Sequence, residues 1–126
     1  MTELNVRLEA PEFAPERTAI DYSVVVENPG DSPVEAHLLG RDLVHDLTVT
    51  GKGGELVWRR LEGETSQAIL RLESLGPGES LRLDGQWDQR DSAGRYVAPG
   101  FYTLQATVPT DSAPLLSQDC LLQITN

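Results

Sequence analysis
Thr18-Ala19-Ile20-Asp21-Tyr22-Ser23-Val24-Val25-Val26-Glu27, followed by Asn28-Pro29-Gly30-Asp31, is the stretch that decides the fold. Ile20, Tyr22, Val24 and Val26 recur at every second position, and β-branched and aromatic side chains of this kind suit a pleated surface with one buried face. The tetrad after them is a turn by composition: proline fixes one dihedral and glycine is free to take a positive one. A strand of about ten residues closed by a tight turn is therefore expected here.

The same grammar extends in both directions. Upstream, Leu4, Val6 and Leu8 alternate with Asn5, Arg7 and Glu9 to give a first strand, expected to stop at Pro11 and Pro15, which cannot donate to a ladder. Downstream, Val34, Ala36 and Leu38 alternate with Glu35 and His37. Residues 46–50 and 55–60 flank Gly51-Lys52-Gly53-Gly54 as a hairpin. Residues 67–75 fit a strand through Ala68, Leu70 and Leu72 and a helix through Ile69, Leu72 and Leu75; the turn Gly76-Pro77-Gly78-Glu79 and the strict alternation of Leu81, Leu83, Gly85 and Trp87 favour the strand. Tyr102, Leu104, Ala106 and Val108 follow the Pro99-Gly100 turn, and 115–124 closes the chain. No convincing period of 3.6 appears, so the expectation is all-β: one antiparallel sandwich of about eight strands spanning 1–126, with no internal repeat or linker.

The chain has 126 residues, 20 Asp plus Glu against 10 Lys plus Arg, a formal net charge of -10 and 39% hydrophobic residues. A domain of this size buries roughly two-thirds of the surface its unfolded chain exposes, so it needs neither metal nor disulfide for stability. Cys120 stands alone, which excludes an internal disulfide. The negative charge, with no basic stripe, argues against nucleic acid and anionic membranes as partners. The first residues show no basic start followed by an apolar run, and no apolar stretch is long enough to span a bilayer. A reducing cytoplasm is the compartment these features fit.

Candidate chemistry is sparse, and no cofactor is expected. His37 and His45 are the only histidines, and no Cys/His cluster accompanies them, so no metal site is expected. The acid clusters lack the spacing of a calcium loop, and nothing resembles a nucleophile elbow. Cys120, between Asp119 and Leu121, has no neighbouring cation to lower its pKa and is expected to be inert. Trp58 and Trp87 are expected to fill the core between sheets, a ligand platform being the alternative. Tyr102 is expected to act as a corner residue whose hydroxyl returns to the backbone. Two connections exceed what a turn needs: 59–67, and 87–99 with Arg90, Asp91, Arg95 and Tyr96, the candidate partner-binding residues. In the second, residues 91–94 are expected to form a hairpin tip and 95–97 a short strand.

Between residues 46 and 108 seven landmarks occur in order: Asp46-Leu47-Thr48-Val49, Gly53-Gly54, Val57-Trp58-Arg59, Gln67-Ala68-Ile69, Leu75-Gly76-Pro77-Gly78-Glu79-Ser80, Gln86-Trp87-Asp88 and Pro99-Gly100-Phe101-Tyr102-Thr103. This order resembles the BsuPI family of intracellular proteinase inhibitors, and Trp58, Pro77, Gly78, Trp87, Pro99, Gly100 and Tyr102 carry the likeness. The resemblance implies an immunoglobulin-like β-sandwich, a cytoplasmic setting and a protein partner, an intracellular subtilisin-type serine protease. The chain departs from the family at Leu43-Val44-His45-Asp46, at Arg60-Leu61 and at Glu64-Thr65-Ser66. The alternative function is a non-inhibitory interaction or accessory module; an enzyme is not expected, and the oligomeric state is left open.

Overall fold
The computed structural model describes residues 4–39, 45–60, 70–108 and 114–126. In chain order the strands are β1 (Asn5–Glu9), β2 (Phe13–Pro15), β3 (Ile20–Glu27), β4 (Val34–Leu39), β5 (Asp46–Thr50), β6 (Leu56–Arg59), β7 (Leu70–Leu75), β8 (Ser80–Trp87), β9 (Gly100–Val108), β10 (Leu115–Leu116) and β11 (Cys120–Thr125). No helix occurs among the described residues.

The period-two run becomes the centre of one sheet. β3 lies between β1 and β8, antiparallel to both, with Val24 opposite Leu8 and Leu83. Its even positions Ile20, Tyr22, Val24 and Val26 are all buried. A second sheet runs β2-β11-β9-β5-β6, with β10 also on β9, while β4 and β7 pair as a two-stranded ribbon. The core lies between the sheets, where Ile20, Val24, Val26 and Trp87 meet Leu47, Val49, Leu104, Ala106, Leu122 and Ile124. Side chains such as Trp87 and Leu104 are fully enclosed, and burial of each contributes on the order of 2 kcal/mol or more.

Two differences from the expected strand map have physical causes. The stop expected at Pro11 and Pro15 is only a pause: residues 13–15 form an edge strand parallel to β11, with Ala14 opposite Ile124. Pro15 sits at its end, at the rim of the sheet, where a missing N–H costs nothing. The closing run 115–124 is broken at Ser117, whose buried Oγ accepts from the Ala106 N–H at 2.8 Å while its own N–H donates to the Ala106 carbonyl. The strands therefore number eleven among the described residues, the extra ones being short. Of the expected elements, Gln67-Ala68-Ile69, Leu43-Val44 and most of the 59–67 connection lie outside the described residues.

Asn28 explains the turn after β3. Fully buried, its Nδ2 donates to the Ser32 and Leu75 carbonyls at 2.7 and 3.0 Å, and its Oδ1 accepts from Gly30 N–H. Its backbone bonds Gly78 and Glu79, so the 28–31 turn is locked to the Pro77-Gly78 turn before β8.

Candidate functional site
The connection from β8 to β9 stands on an aromatic floor. Trp87 is fully buried, Trp58 stacks on it at 6.1 Å with an interplanar angle of 26°, and Tyr102 meets it edge-on at 6.2 Å. Trp58 itself is half-buried, at the margin of the core, so it fills the interior and also lines a surface depression with Arg59, Arg60, Arg90 and Asp91. Trp87 Nε1 donates to the Arg90 carbonyl at 2.9 Å, which satisfies the indole and fixes the start of the loop. At the other end the Tyr102 hydroxyl donates to the Ala98 carbonyl at 2.6 Å, the corner expected of it.

Gln89 anchors the loop from below. It is fully buried and left-handed at φ 63°; its Nε2 donates to the Pro15 carbonyl and to Thr18 Oγ1, and its Oε1 accepts from the Arg17 N–H at 3.0 Å. Arg17, at φ 61°, is the other left-handed non-glycine residue among the described residues. Such conformations cost on the order of 1 kcal/mol or more each and persist where surrounding contacts hold them. Here the two support each other across 72 positions of sequence.

The tip is a closed hairpin. Arg90 and Tyr96 form an antiparallel bridge, and Asp91 N–H donates to the Arg95 carbonyl. Asp91 Oδ1 accepts from the N–H groups of Ala93 and Arg95 at 2.9 and 3.0 Å, and Gly94 takes φ 82°, where a side chain would be strained. Ser92 ties the tip sideways to β6, both its N–H and its hydroxyl donating to the Val57 carbonyl. The Arg90 guanidinium lies 4.7 Å from the Tyr96 ring centre and donates to the Tyr96 hydroxyl at 3.2 Å; Arg17 stands 5.7 Å from the same ring. Tyr96 is still 46% exposed, and Arg95 is exposed beside it. The four candidate residues are thus brought to one tip, with Asp91 turned inward as its brace and Arg90, Arg95 and Tyr96 outward. Arg17, Ser92 and Gln89 belong to the same structure, and only their loop positions hinted at it: a glutamine in the left-handed region has no sequence signature.

A second polar group is buried in the sandwich. The Tyr22 hydroxyl and His45 Nε2 are hydrogen-bonded at 2.8 Å in the buried interior, and the Tyr22 ring lies over Gly85, the cross-strand partner whose missing side chain makes room for it. Burial pushes the tyrosine up to about 12 and the histidine down to about 4, the Arg60 guanidinium adding to the histidine shift. Both groups are accordingly neutral at neutral pH. Arg60 donates to the His45 carbonyl, and Arg59 grips Asp46 Oδ2 with Nε and Nη2 at 3.0 and 2.7 Å. Through Arg59 and Arg60, which both line the depression, this assembly reaches the surface. Cys120 is half-buried; burial and Asp119 push its thiol up, which keeps it protonated. Among the described residues no group of three or more His, Cys, Asp or Glu side chains is placed to hold a metal, and no helix is long and apolar enough to cross a membrane.

Comparison with solved structures shows the fold. The chain is similar to the CARDB domain of a Pyrococcus furiosus protein solved with di-metal ions, at 18% identity and TM-score 0.51, covering 98% of this chain and 93% of that one. It is also similar to part of an alkylpurine DNA glycosylase from Pseudomonas fluorescens (16%, TM-score 0.53, 98% of this chain and 31% of that one) and of a β-glucosidase from Listeria innocua (12%, TM-score 0.50, 99% and 16%). At such identities these are likenesses of architecture, an immunoglobulin-like sandwich. No curated protein matches the sequence. The family comparison is specific: residues 8–113 match BsuPI, the intracellular proteinase inhibitor family, and the chain belongs to that family.

Proposed function
We propose that the chain is a cytoplasmic, non-enzymatic inhibitor of an intracellular subtilisin-type serine protease, acting as a single domain through the 88–97 hairpin. Family membership supports the inhibitor reading. The observation that carries the choice of loop is its bracing: Gln89, Asp91 and Ser92 hold it to β6 and to the 15–18 segment without a disulfide. A loop ordered before binding loses less entropy on association, on the order of 1 kcal/mol for each side chain already fixed.

The bracing also bears on the manner of contact. A substrate-like inhibitor presents an extended segment, whereas this tip is folded back through the Arg90–Tyr96 bridge. The hairpin therefore acts as a wedge against the rim of a protease cleft, with Arg95 and Tyr96 as its contacts. The test is residual hydrolysis of a chromogenic peptide by a panel of subtilisin-type proteases across inhibitor concentrations. Saturable inhibition is expected, weakened about tenfold or more in Arg95→Ala/Tyr96→Ala. No saturable inhibition across the panel sinks the inhibitor reading; full inhibition by the double variant moves the contact to another surface.

A further inference from the structure
The two outer faces of the sandwich differ in kind. On the β1-β3-β8 sheet charged side chains stand on the outward face and are laced together: Arg7 with Glu9 and Glu27, Arg82 with Glu9 and Asp84. On the other sheet the outward residues of β9 and β11, from Phe101 to Gln105 and from Leu121 to Gln123, carry no charge. The register aligns Phe13, Gln123 and Phe101 on one rung, with Leu121 on the next. Phe13 is 64%, Leu121 61% and Phe101 46% exposed, and together they line one groove. Loss of charge with enrichment in aromatic residues is the composition of an interface core, and scattered exposed apolar residues do not line up this way.

We propose that this groove, at the β2 edge of the sheet and lined by no residue of the 88–97 hairpin, docks a second protein through a segment whose apolar side chains are flanked by Lys or Arg. The border carries the charge argument: Glu12 lines the groove, Asp119 acts electrostatically on Cys120 in its wall, and no Lys or Arg among the described residues lines it. A basic flank meets these acids favourably, inside the field of a chain of net charge -10. A second copy is disfavoured by the same charges, because a two-fold contact through this face brings two acidic borders, and two chains of net charge -10, together.

The test titrates the isotopically labelled full chain with two acetylated, amidated peptides, Lys-Leu-Phe-Leu-Lys and Glu-Leu-Phe-Leu-Glu, and follows amide chemical shifts. The lysine peptide is expected to shift the amides of Phe13, Phe101, Leu121 and Gln123 and to bind at least about tenfold more tightly than the glutamate peptide. Phe101→Thr/Leu121→Thr, whose side chains lie outside the core, is expected to keep its melting temperature and lose those shifts. Shifts spread over the acids of the opposite sheet, or unaltered by the double variant, overturn the proposal. So does equal binding of the two peptides. Sedimentation as a dimer that the double variant dissociates also overturns it, by assigning the groove to a second copy.

Discussion

His45 is a buried base in a molecule dominated by acids, and its burial decides what acid does to the fold. Burial and Arg60 hold it down to about 4, below its usual 6.5, while Tyr22 occupies its Nε2. Between those two values the unfolded chain binds a proton that the folded chain refuses. Stability from this residue is thus intact above about pH 6.5 and is lost as the pH falls toward 4, by about 3 kcal/mol in total. Urea unfolding at a series of pH values is expected to show this slope, and His45→Gln to flatten it. An unchanged slope in that variant assigns the acid sensitivity to other groups. The sequence placed His45 next to the 46–50 strand with no visible partner; Tyr22, 23 positions away, is brought to it only because Gly85 leaves room for the ring across β3 and β8. Gly85 had been legible as one member of an alternating series, and its lack of a side chain proves to be the reason for the residue.

At the scale of elements, legibility followed periodicity. β3, β8 and β9 could be drawn from alternation alone, because apolar residues recur at every second position of each and a two-residue repeat leaves little freedom of register. β2 could not, since its prolines signal interruption and its partner β11 lies over a hundred residues away. The 88–97 hairpin was half legible: composition marked the tip and its Asp91 to Gly94 turn, but the support from the 15–18 segment comes through Gln89, a residue with no turn preference. Gln89→Ala therefore has a specific expected cost. It leaves the Arg17 N–H without its side-chain acceptor, while the Pro15 carbonyl keeps the Thr18 hydroxyl, a loss on the order of 1 kcal/mol. Because the hairpin depends on that anchor, its amides are also expected to exchange with deuterium faster than those of β9. Wild-type exchange at the hairpin in Gln89→Ala is the result that contradicts this account.

For the molecule as a whole, two electrostatic terms oppose each other, and magnitudes choose between them. Ion pairs on the β1-β3-β8 face, such as Arg82–Glu9 at 3.1 Å, favour the fold, and salt weakens them. They are exposed pairs, each contributing about 0–1 kcal/mol. Against them stands the mutual repulsion of 20 acidic residues over 10 basic ones, confined in the folded state to the surface of one small body and relaxed when the chain expands. The Debye length shortens from about 30 Å at 0.01 M salt to about 8 Å at 0.15 M, which removes long-range repulsion and leaves contact pairs at 3–4 Å comparatively untouched. Raising the salt over that range is therefore expected to stabilise the protein. For a chain of this size each 1 kcal/mol moves the melting temperature by roughly 3–5 °C, so calorimetry should register an upward shift of a few degrees. A downward shift means that the ion pairs of the charged face outweigh the net charge. The uncharged face contributes to neither term, so Phe101→Thr/Leu121→Thr should show the same salt response as the parent chain.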